Sequence, residues 1–209
     1  MKKILSDPIE IENESHRIIK NIIKNQYSFS DFDDDIKVRV IHATADFDYL
    51  QNLIFLPERE YVISYAHDAL RKNVPIITDT KMLAAGISKK FDNSKIICKI
   101  SSDDVRLEAE KREITRSIVN IEHAVSEFPN AIYAIGNAPT ALIRLCELIL
   151  EKKANPSLII AAPVGFVNVL EAKEMTFSLQ NEIPKIIAKG NKGGTTVACA
   201  IINALVHGM

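Results

Sequence analysis

Five short apolar runs, each followed at once by polar or glycine-rich residues, restrict the fold of this chain more than any other feature. The runs are Val38–Ile41, Ile76-Ile77, Ala131–Ile135, Leu158–Ala162 and Ile186–Ala188. Each has the composition of a buried strand in a parallel sheet. Strands that alternate with helical stretches form βαβ units with right-handed crossovers. We therefore predict a three-layer α/β fold, in which a mostly parallel sheet carries helices on both faces.

The spacing of apolar residues also predicts the elements between these strands. A further strand is expected over Ile96–Ile100, and one long helix is expected to begin after Ser102 and to end at Pro129, with Arg116 in its interior. The other expected helices span Pro8 to about Lys24, Asp46–Phe55, Pro57–Lys72, Pro139–Lys153, Val169–Leu179 and Thr195–His207.

Length and composition indicate one soluble domain that spans residues 1–209. The chain is 47% hydrophobic and 25% charged, which is ordinary for a globular protein. Its formal net charge is −1, so no overall basic field attracts nucleic acid or an acidic membrane. An anionic ligand would have to be bound by local arginines and lysines.

Cysteine usage and the lack of long apolar segments predict a cytoplasmic protein. Cys98, Cys146 and Cys199 are odd in number and lie in apolar stretches, which favours reduced thiols over a disulfide framework. No stretch of about 18 uncharged apolar residues occurs, and no long apolar segment follows the first lysines. We expect neither secretion nor a membrane span.

The polar residues after the five runs predict a site. Ligands of open parallel sheets bind beyond the carboxyl ends of the strands, so these residues would line one crevice. His42, at the expected end of the first strand, is the candidate for proton transfer because the pKa of an unperturbed imidazole is about 6.5. The alternative is that His42 only satisfies a backbone group.

The turn from Gly136 to Thr140 is a second candidate. Gly136 and Asn137 follow an expected strand, and Pro139 occupies the expected first position of a helix. The free N–H groups in the first turn of such a helix can bind a carboxylate. A tight turn without a binding role explains Gly136 and Pro139 equally well.

The sequence does not indicate a metal, a nucleotide or another cofactor. In the segment Gly190–Thr196, Lys192 precedes the two glycines, whereas a phosphate-binding loop needs its lysine directly before Ser or Thr. Histidines and carboxylates do not have metal-site spacing, and no Ser or Cys lies in a nucleophile elbow. We expect at most an anion-binding helix start at Thr195-Thr196.

Several short motifs follow one another along the chain. They are Arg39–Ala43, Met82–Ile87, Thr115–Ser117, Ile135–Leu142, Pro163–Val167 and Gly193–Thr195. In order and spacing they closely resemble the motifs of the precorrin-8X methylmutase family, also called cobalt-precorrin-8 methylmutase. The resemblance extends from about Ser15 to Leu205.

The resemblance implies a function and a set of site residues. It implies an α/β homodimer without a cofactor that moves a methyl group from C-11 to C-12 of a corrinoid substrate during cobalamin biosynthesis. By the same resemblance, His42 is the proton donor and acceptor. Ser15 and Arg39 correspond to substrate-binding positions, and Arg116, Gly136, Asn137 and Thr140 match motifs expected to line the same site.

The sequence leaves two alternative functions open, and at His16 it departs from the pattern of the family. A non-catalytic corrinoid carrier would keep the binding site without turnover, and a nucleotide-dependent enzyme would use the Gly190–Thr196 segment. His16 stands where family members often have Phe, so the contacts near Ser15 are in doubt. His16 is either a group that binds a carboxylate or a surface residue without a role.

Overall fold

The computed structural model describes residues 4–27 and 35–209. Within them, six strands alternate with helices, as the sequence predicts. The strands are β1 Leu53–Leu56, β2 Ile76–Thr78, β3 Ile96–Ile97, β4 Ile132–Ile135, β5 Leu158–Ala161 and β6 Lys185–Ala188. The helices are α1 Pro8–Gln26, α2 Asp35–Thr44, α3 Tyr49–Asn52, α4 Arg59–Arg71, α5 Lys81–Gly86, α6 Asp103–Arg112, α7 Arg116–Glu127, α8 Pro139–Leu150, α9 Val169–Ser178 and α10 Thr195–His207.

The strands form one sheet in the order β1-β6-β5-β4-β2-β3. The five strands from β6 to β3 are parallel, and β1 joins the edge in the antiparallel direction through pairing of Leu53 with Ala188 and Leu56 with Lys185. The predicted mostly parallel sheet is therefore confirmed. Because β2, β4, β5 and β6 are parallel neighbours, the loops that follow them meet at one edge, here called the carboxyl edge.

Alternate side chains of the central strands enter two separate hydrophobic cores, as the two-residue period of a strand requires. Ile132 and Ala134 of β4 pack with α1, α2, α4, α5 and α10, whereas Tyr133 and Ile135 pack with α7, α8 and α9. Helices therefore cover both faces of the sheet, which confirms the predicted layers. We call these the α10 face and the α8 face.

The prediction of a strand at Val38–Ile41 is wrong, because these residues lie in the helix α2. Ile36, Val38, Val40 and Ile41 are all buried, and α2 packs mainly along α10. A short β-branched run is typical of a strand, but a buried helix has the same composition. His42 consequently lies in the last turn of a helix rather than at the end of a strand.

The prediction of a helix from Asp46 to Phe55 is also partly wrong. It contains the short helix α3 and then β1, the antiparallel edge strand. The next helix begins at Arg59 rather than at Pro57, which follows Leu56 through a cis peptide bond. The edge position of β1 explains the misprediction, because only one side of an edge strand is paired and its burial pattern is weaker.

The single long helix expected after Ser102 is two helices, α6 and α7. Glu113 takes a left-handed conformation, with φ at 53°, and its N–H donates to the last turn of α6. Arg116 therefore begins α7 instead of lying inside a helix. The strand expected over Ile96–Ile100 is likewise shorter, because β3 ends at Ile97.

Candidate active site

Helix α2 carries Arg39 and His42 on one side, since residues three apart on a helix are neighbours. The imidazole of His42 is exposed, while the guanidinium of Arg39 is partly buried. Nη2 of Arg39 donates to Oε1 of Glu12 on α1 at 2.8 Å. This ion pair leaves other N–H groups of Arg39 for a ligand, because a guanidinium has five.

Helix α1 presents Ser15 and His16 next to α2. Pro8 begins this helix as predicted, and Asp7 caps it by accepting from the N–H groups of Ile9 and Glu10. Ile19 and Ile23 anchor the helix in the core of the α10 face, and Ser15 lies one turn before Ile19 on the same side. The structure therefore brings Ser15 to the surface where α1 meets α2.

His16 contacts His42 directly, with ring centroids 5.0 Å apart and planes at 85°. Its Nε2 is buried and has no hydrogen-bond partner among the described residues. Burial lowers the pKa of His16, and the neighbouring His42 lowers it further. His16 is therefore held mainly in its neutral form near pH 7.

The last turn of α2 is tied to the loop after β6, and hence to the carboxyl edge. Nζ of Lys192 in that loop lies 2.7 Å from Oδ2 of Asp46 and 2.6 Å from Oδ2 of Asp48, just beyond the end of α2. The loop is held in turn by Lys173 of α9, whose Nζ donates to the carbonyls of Gly190 and Lys192. Lys173 is buried, and burial lowers its pKa to about 8.

A second group of predicted residues lies on the α8 face of the sheet. A cavity of about 810 Å³ opens there between α6, the start of α7 and the loops after β2 and β4. Arg116, Ser117 and Asn137 line this cavity. Among residues 4–27 and 35–209, no carboxylate forms an ion pair with Arg116. Its guanidinium is therefore available to an anionic ligand.

The N–H groups of the turn between β4 and α8 are not free, whereas the sequence prediction concerned the first turn of α8, which begins at Pro139. Asp79, which follows β2, accepts from the N–H of Gly136 at 3.0 Å and from those of Asn137 and Ala138 at 2.7 Å each. Asp79 is 1% exposed. Burial raises the pKa of its carboxyl group, and the three amide donors oppose that rise. The protein thus supplies its own carboxylate to this turn.

Gly136 is buried against α10. A Cβ atom at this position would lie 3.0 Å from Cα of Thr195 and 3.2 Å from Cβ of Ala198, so any larger residue would require α10 to move slightly away. Thr140 is partly exposed, and its hydroxyl lies 3.1 Å from that of Thr115, directly before Arg116. Asn137 and Thr140 are therefore accessible, whereas Gly136 has a packing role.

The predicted residues form two groups rather than one crevice lined by five strand endings. Ser15, Arg39 and His42 lie on the helices of the α10 face, and Arg116, Asn137 and Thr140 lie on the α8 face. Four of the five predicted endings do share the carboxyl edge, at β2, β4, β5 and β6. The fifth predicted strand ending, at His42, is wrong because Val38–Ile41 and His42 belong to the helix α2.

Sequence reasoning missed Asp79 and Lys173, which organise the loops at this edge. Asp79 was visible only as a polar residue after a strand, and nothing local indicates that it reaches a turn almost sixty residues away. Lys173 gave no signal, since an isolated lysine in a helix is ordinarily exposed. Both residues bind backbone groups, and such partners cannot be read from residue types.

The described residues were also compared with the requirements of a metal site, a membrane span and a disulfide. Within 4–27 and 35–209, no group of three or more His, Cys, Asp or Glu side chains is arranged to hold a metal ion. In the same ranges, no helix is both long enough and apolar enough to cross a bilayer. All three cysteines fall in this part of the chain, and none forms a disulfide.

A parallel α/β sheet with ionisable side chains beside its carboxyl edge is the architecture of an enzyme that acts on a small molecule. Residues 10–208 match the family model described as precorrin-8X methylmutase. The chain belongs to the precorrin-8X methylmutase family, whose members are isomerases.

Individual relatives agree with this assignment. A cobalt-precorrin-8 methylmutase of Leptospira interrogans is 37% identical, over 99% of this chain and 96% of its own. A precorrin-8X methylmutase of Pseudomonas aeruginosa is 35% identical over 81% of each chain. The crystal structure of a precorrin-8X methyl mutase from Thermus thermophilus has a TM-score of 0.80 and 30% identity, and it covers 94% of this chain and 96% of its own.

Proposed function

We propose that this protein rearranges precorrin-8X or cobalt-precorrin-8 to hydrogenobyrinate or cobyrinate in cobalamin biosynthesis. The bond from C-11 to the methyl group breaks, and a bond from C-12 to the same methyl group forms. Substrate and product are isomers, so the reaction needs no net oxidant or reductant. The chain's part is to hold the macrocycle and to bias its electrons with a proton.

His42 is the proposed proton donor and acceptor. The observation that carries this role is the exposed imidazole in the last turn of α2, one turn after the Arg39 guanidinium. Because composition does not change in an isomerisation, the imidazole takes back the proton that it lends. General acid catalysis of this kind is typically worth about 10²–10⁴ in rate, or roughly 3–5 kcal/mol of the barrier.

The other predicted residues are proposed to bind the substrate, which is flat, apolar on its faces and rimmed by carboxylates. Arg39 and Arg116 are suited to these carboxylates because guanidinium groups bind them with two parallel hydrogen bonds. Ser15, Asn137 and Thr140 offer polar groups at accessible positions. Gly136 is proposed to act only by shaping the turn that carries Asn137.

We also propose a homodimer in the cytoplasm. The two groups of site residues lie on different faces of one chain, so a single subunit does not surround a corrinoid with both. Large apolar side chains are exposed in the loop after β5, where Phe166 is 92% exposed and Val167 76% exposed. A second copy would cover such residues. Sedimentation velocity should give a mass near twice that of one chain.

Direct conversion tests the proposed function. Purified protein incubated with cobalt-precorrin-8, and separately with precorrin-8X, should produce the absorbance spectrum of the corrin product with at least one of them. Binding of both compounds without any spectral conversion would instead support the non-catalytic carrier. Absence of both binding and conversion would exclude corrinoid chemistry altogether.

A further inference from the structure

The carboxylate of Asp79 is an unusual group to find at the carboxyl edge of this sheet. It is almost fully buried, and its hydrogen bonds in the described residues go to backbone N–H groups rather than to a basic side chain. Burying an ionised carboxylate is strongly unfavourable unless hydrogen bonds compensate it. The chain therefore keeps a costly group where an ordinary βα turn needs none.

The bonds of Asp79 connect parts of the chain that lie far apart in sequence. Asp79 belongs to the end of β2, and the three donors belong to the turn between β4 and α8. Both carboxylate oxygens are used, since Oδ1 accepts from Gly136 and Oδ2 accepts from Asn137 and Ala138. The carboxylate fixes the turn at three successive residues and so fixes the direction in which the Asn137 side chain leaves it.

The same turn is connected to Arg116. Thr140 lies in the first turn of α8, and its hydroxyl shares a hydrogen bond with that of Thr115. Thr115 directly precedes Arg116, which lines the cavity of about 810 Å³ and has no ion pair with any residue that the structure describes. A continuous series of contacts thus extends from the buried carboxylate to both accessible polar groups, Asn137 and Arg116.

We propose that Asp79 is a positioning residue for substrate binding, which holds Asn137 and, through Thr140 and Thr115, Arg116 in the orientation that binds a carboxylate of the macrocycle. This inference rests on the proposed function. Asp79 also occupies the N–H groups of the turn that precedes α8 with the protein's own negative charge. A carboxylate of the ligand is therefore directed to Arg116 instead of to this turn.

Asp79→Asn tests the proposal with little change of shape. An amide has one acceptor oxygen, so in either orientation its NH₂ group faces at least one of the three N–H donors. We expect the KM for the precursor, and the Kd for the corrin product, to rise about tenfold. We expect kcat to change less than about threefold, because His42 lies on the other face of the sheet.

Two further variants separate positioning from stability. Thr176→Val is the structural control, since it removes a buried hydroxyl that bonds the Ala172 carbonyl away from the cavity; it should lower the unfolding temperature and leave KM unchanged. Thr115→Val breaks the contact with Thr140 without touching the buried carboxylate. It should raise KM by about threefold, and it remains informative if Asp79→Asn fails to fold.

The outcomes distinguish this inference from the proposed function. Conversion by the wild type together with a wild-type KM in folded Asp79→Asn would refute the positioning role alone. If that variant does not fold, a wild-type KM in Thr115→Val refutes it. A wild type that neither binds nor converts either precursor would overturn the proposed function, and the positioning role with it.

Discussion

The imidazole rings of His16 and His42 meet edge to face, with their centroids 5.0 Å apart. The contact places a neutral histidine on α1 against the proposed proton donor on α2. Nε2 of His16 is buried and has no hydrogen-bond partner within residues 4–27 and 35–209, an arrangement that costs free energy. The substitution His16→Phe tests the effect of this nitrogen, because a phenyl ring preserves the edge-to-face contact and removes the buried Nε2.

We expect His16→Phe to raise the free energy of unfolding at pH 7 by about 1 kcal/mol, since no buried polar atom is left unpaired. The advantage should grow in acid. The pKa of native His16 is lowered, so below about pH 6.5 the unfolded wild-type chain binds a proton that the native chain does not, and stability is lost. Urea denaturation above and below that pH measures both effects. Equal stability of the two proteins at pH 7 would contradict the first effect, and a difference that does not grow in acid would contradict the second.

Arg39→Ala should weaken binding of the carboxylated product about tenfold, because a charge-assisted hydrogen bond is removed. Glu12→Gln is the matched variant: it releases Arg39 from its ion pair and should leave binding unchanged or tighter. Stability should change little in either protein, since a partly exposed ion pair contributes less than about 1 kcal/mol. Equal affinities in wild type and Arg39→Ala, measured by fluorescence or absorbance titration, would exclude this contact.

Arg116 and Arg106 line the same cavity but differ in their partners. Arg106 pairs with Asp103 and Glu110, whereas Arg116 has no ion pair in the part of the chain that the structure describes. Arg116→Ala should therefore raise the KM about tenfold, and Arg106→Ala should raise it by less than about twofold. Steady-state kinetics of the two variants give both KM values. A larger rise of KM in Arg106→Ala than in Arg116→Ala would show that the cavity binds the ligand differently.

Four strands of the sheet could be predicted from sequence because their residue patterns are local. Ile76-Ile77, Ala131–Ile135, Leu158–Ala162 and Ile186–Ala188 are short, fully apolar and followed by turn residues, and each is a strand of the parallel sheet. Val38–Ile41 is also short and largely apolar, although it includes Arg39, but it is helical. Such a run fits a buried strand and a buried helix equally, so only packing against α10 decides between them.

The break between α6 and α7 had no local signal either. Helices usually end at Gly or Pro, but here Glu113 takes the left-handed conformation, which few non-glycine residues adopt. That break places Arg116 at a helix start beside the cavity. An arginine in a helix is ordinarily exposed, but this position beside the cavity could not be predicted from a pattern that continues through the break.

The candidate site was predictable as residue types and not as an arrangement. His42 could be selected because an imidazole suits a proton transfer, whereas Arg39 and Arg116 were selected because they match motifs of the family. Their distribution over two faces depends on α2 packing along α10, which no local pattern reveals. The contacts of Asp79 could not be predicted for a similar reason, because its partners are backbone amides of a distant turn.

His42 is the residue on which the mechanism depends. Without its imidazole the chain keeps Arg39, Arg116 and the cavity, so binding of hydrogenobyrinate should persist within about threefold while catalysis fails. His123→Gln provides a matched control. His123 lies on α7 and contacts Glu108, on the other face of the sheet, so its replacement should not affect turnover.

The most direct measurement is the single-turnover rate at which enzyme in excess converts precorrin-8X or cobalt-precorrin-8, whichever the wild type accepts, followed by corrin absorbance. His42→Ala should reduce that rate about 10²–10⁴-fold, with product affinity near that of the wild type. A rate within a few fold of the wild type in folded His42→Ala would contradict the assignment of the proton transfer to this residue.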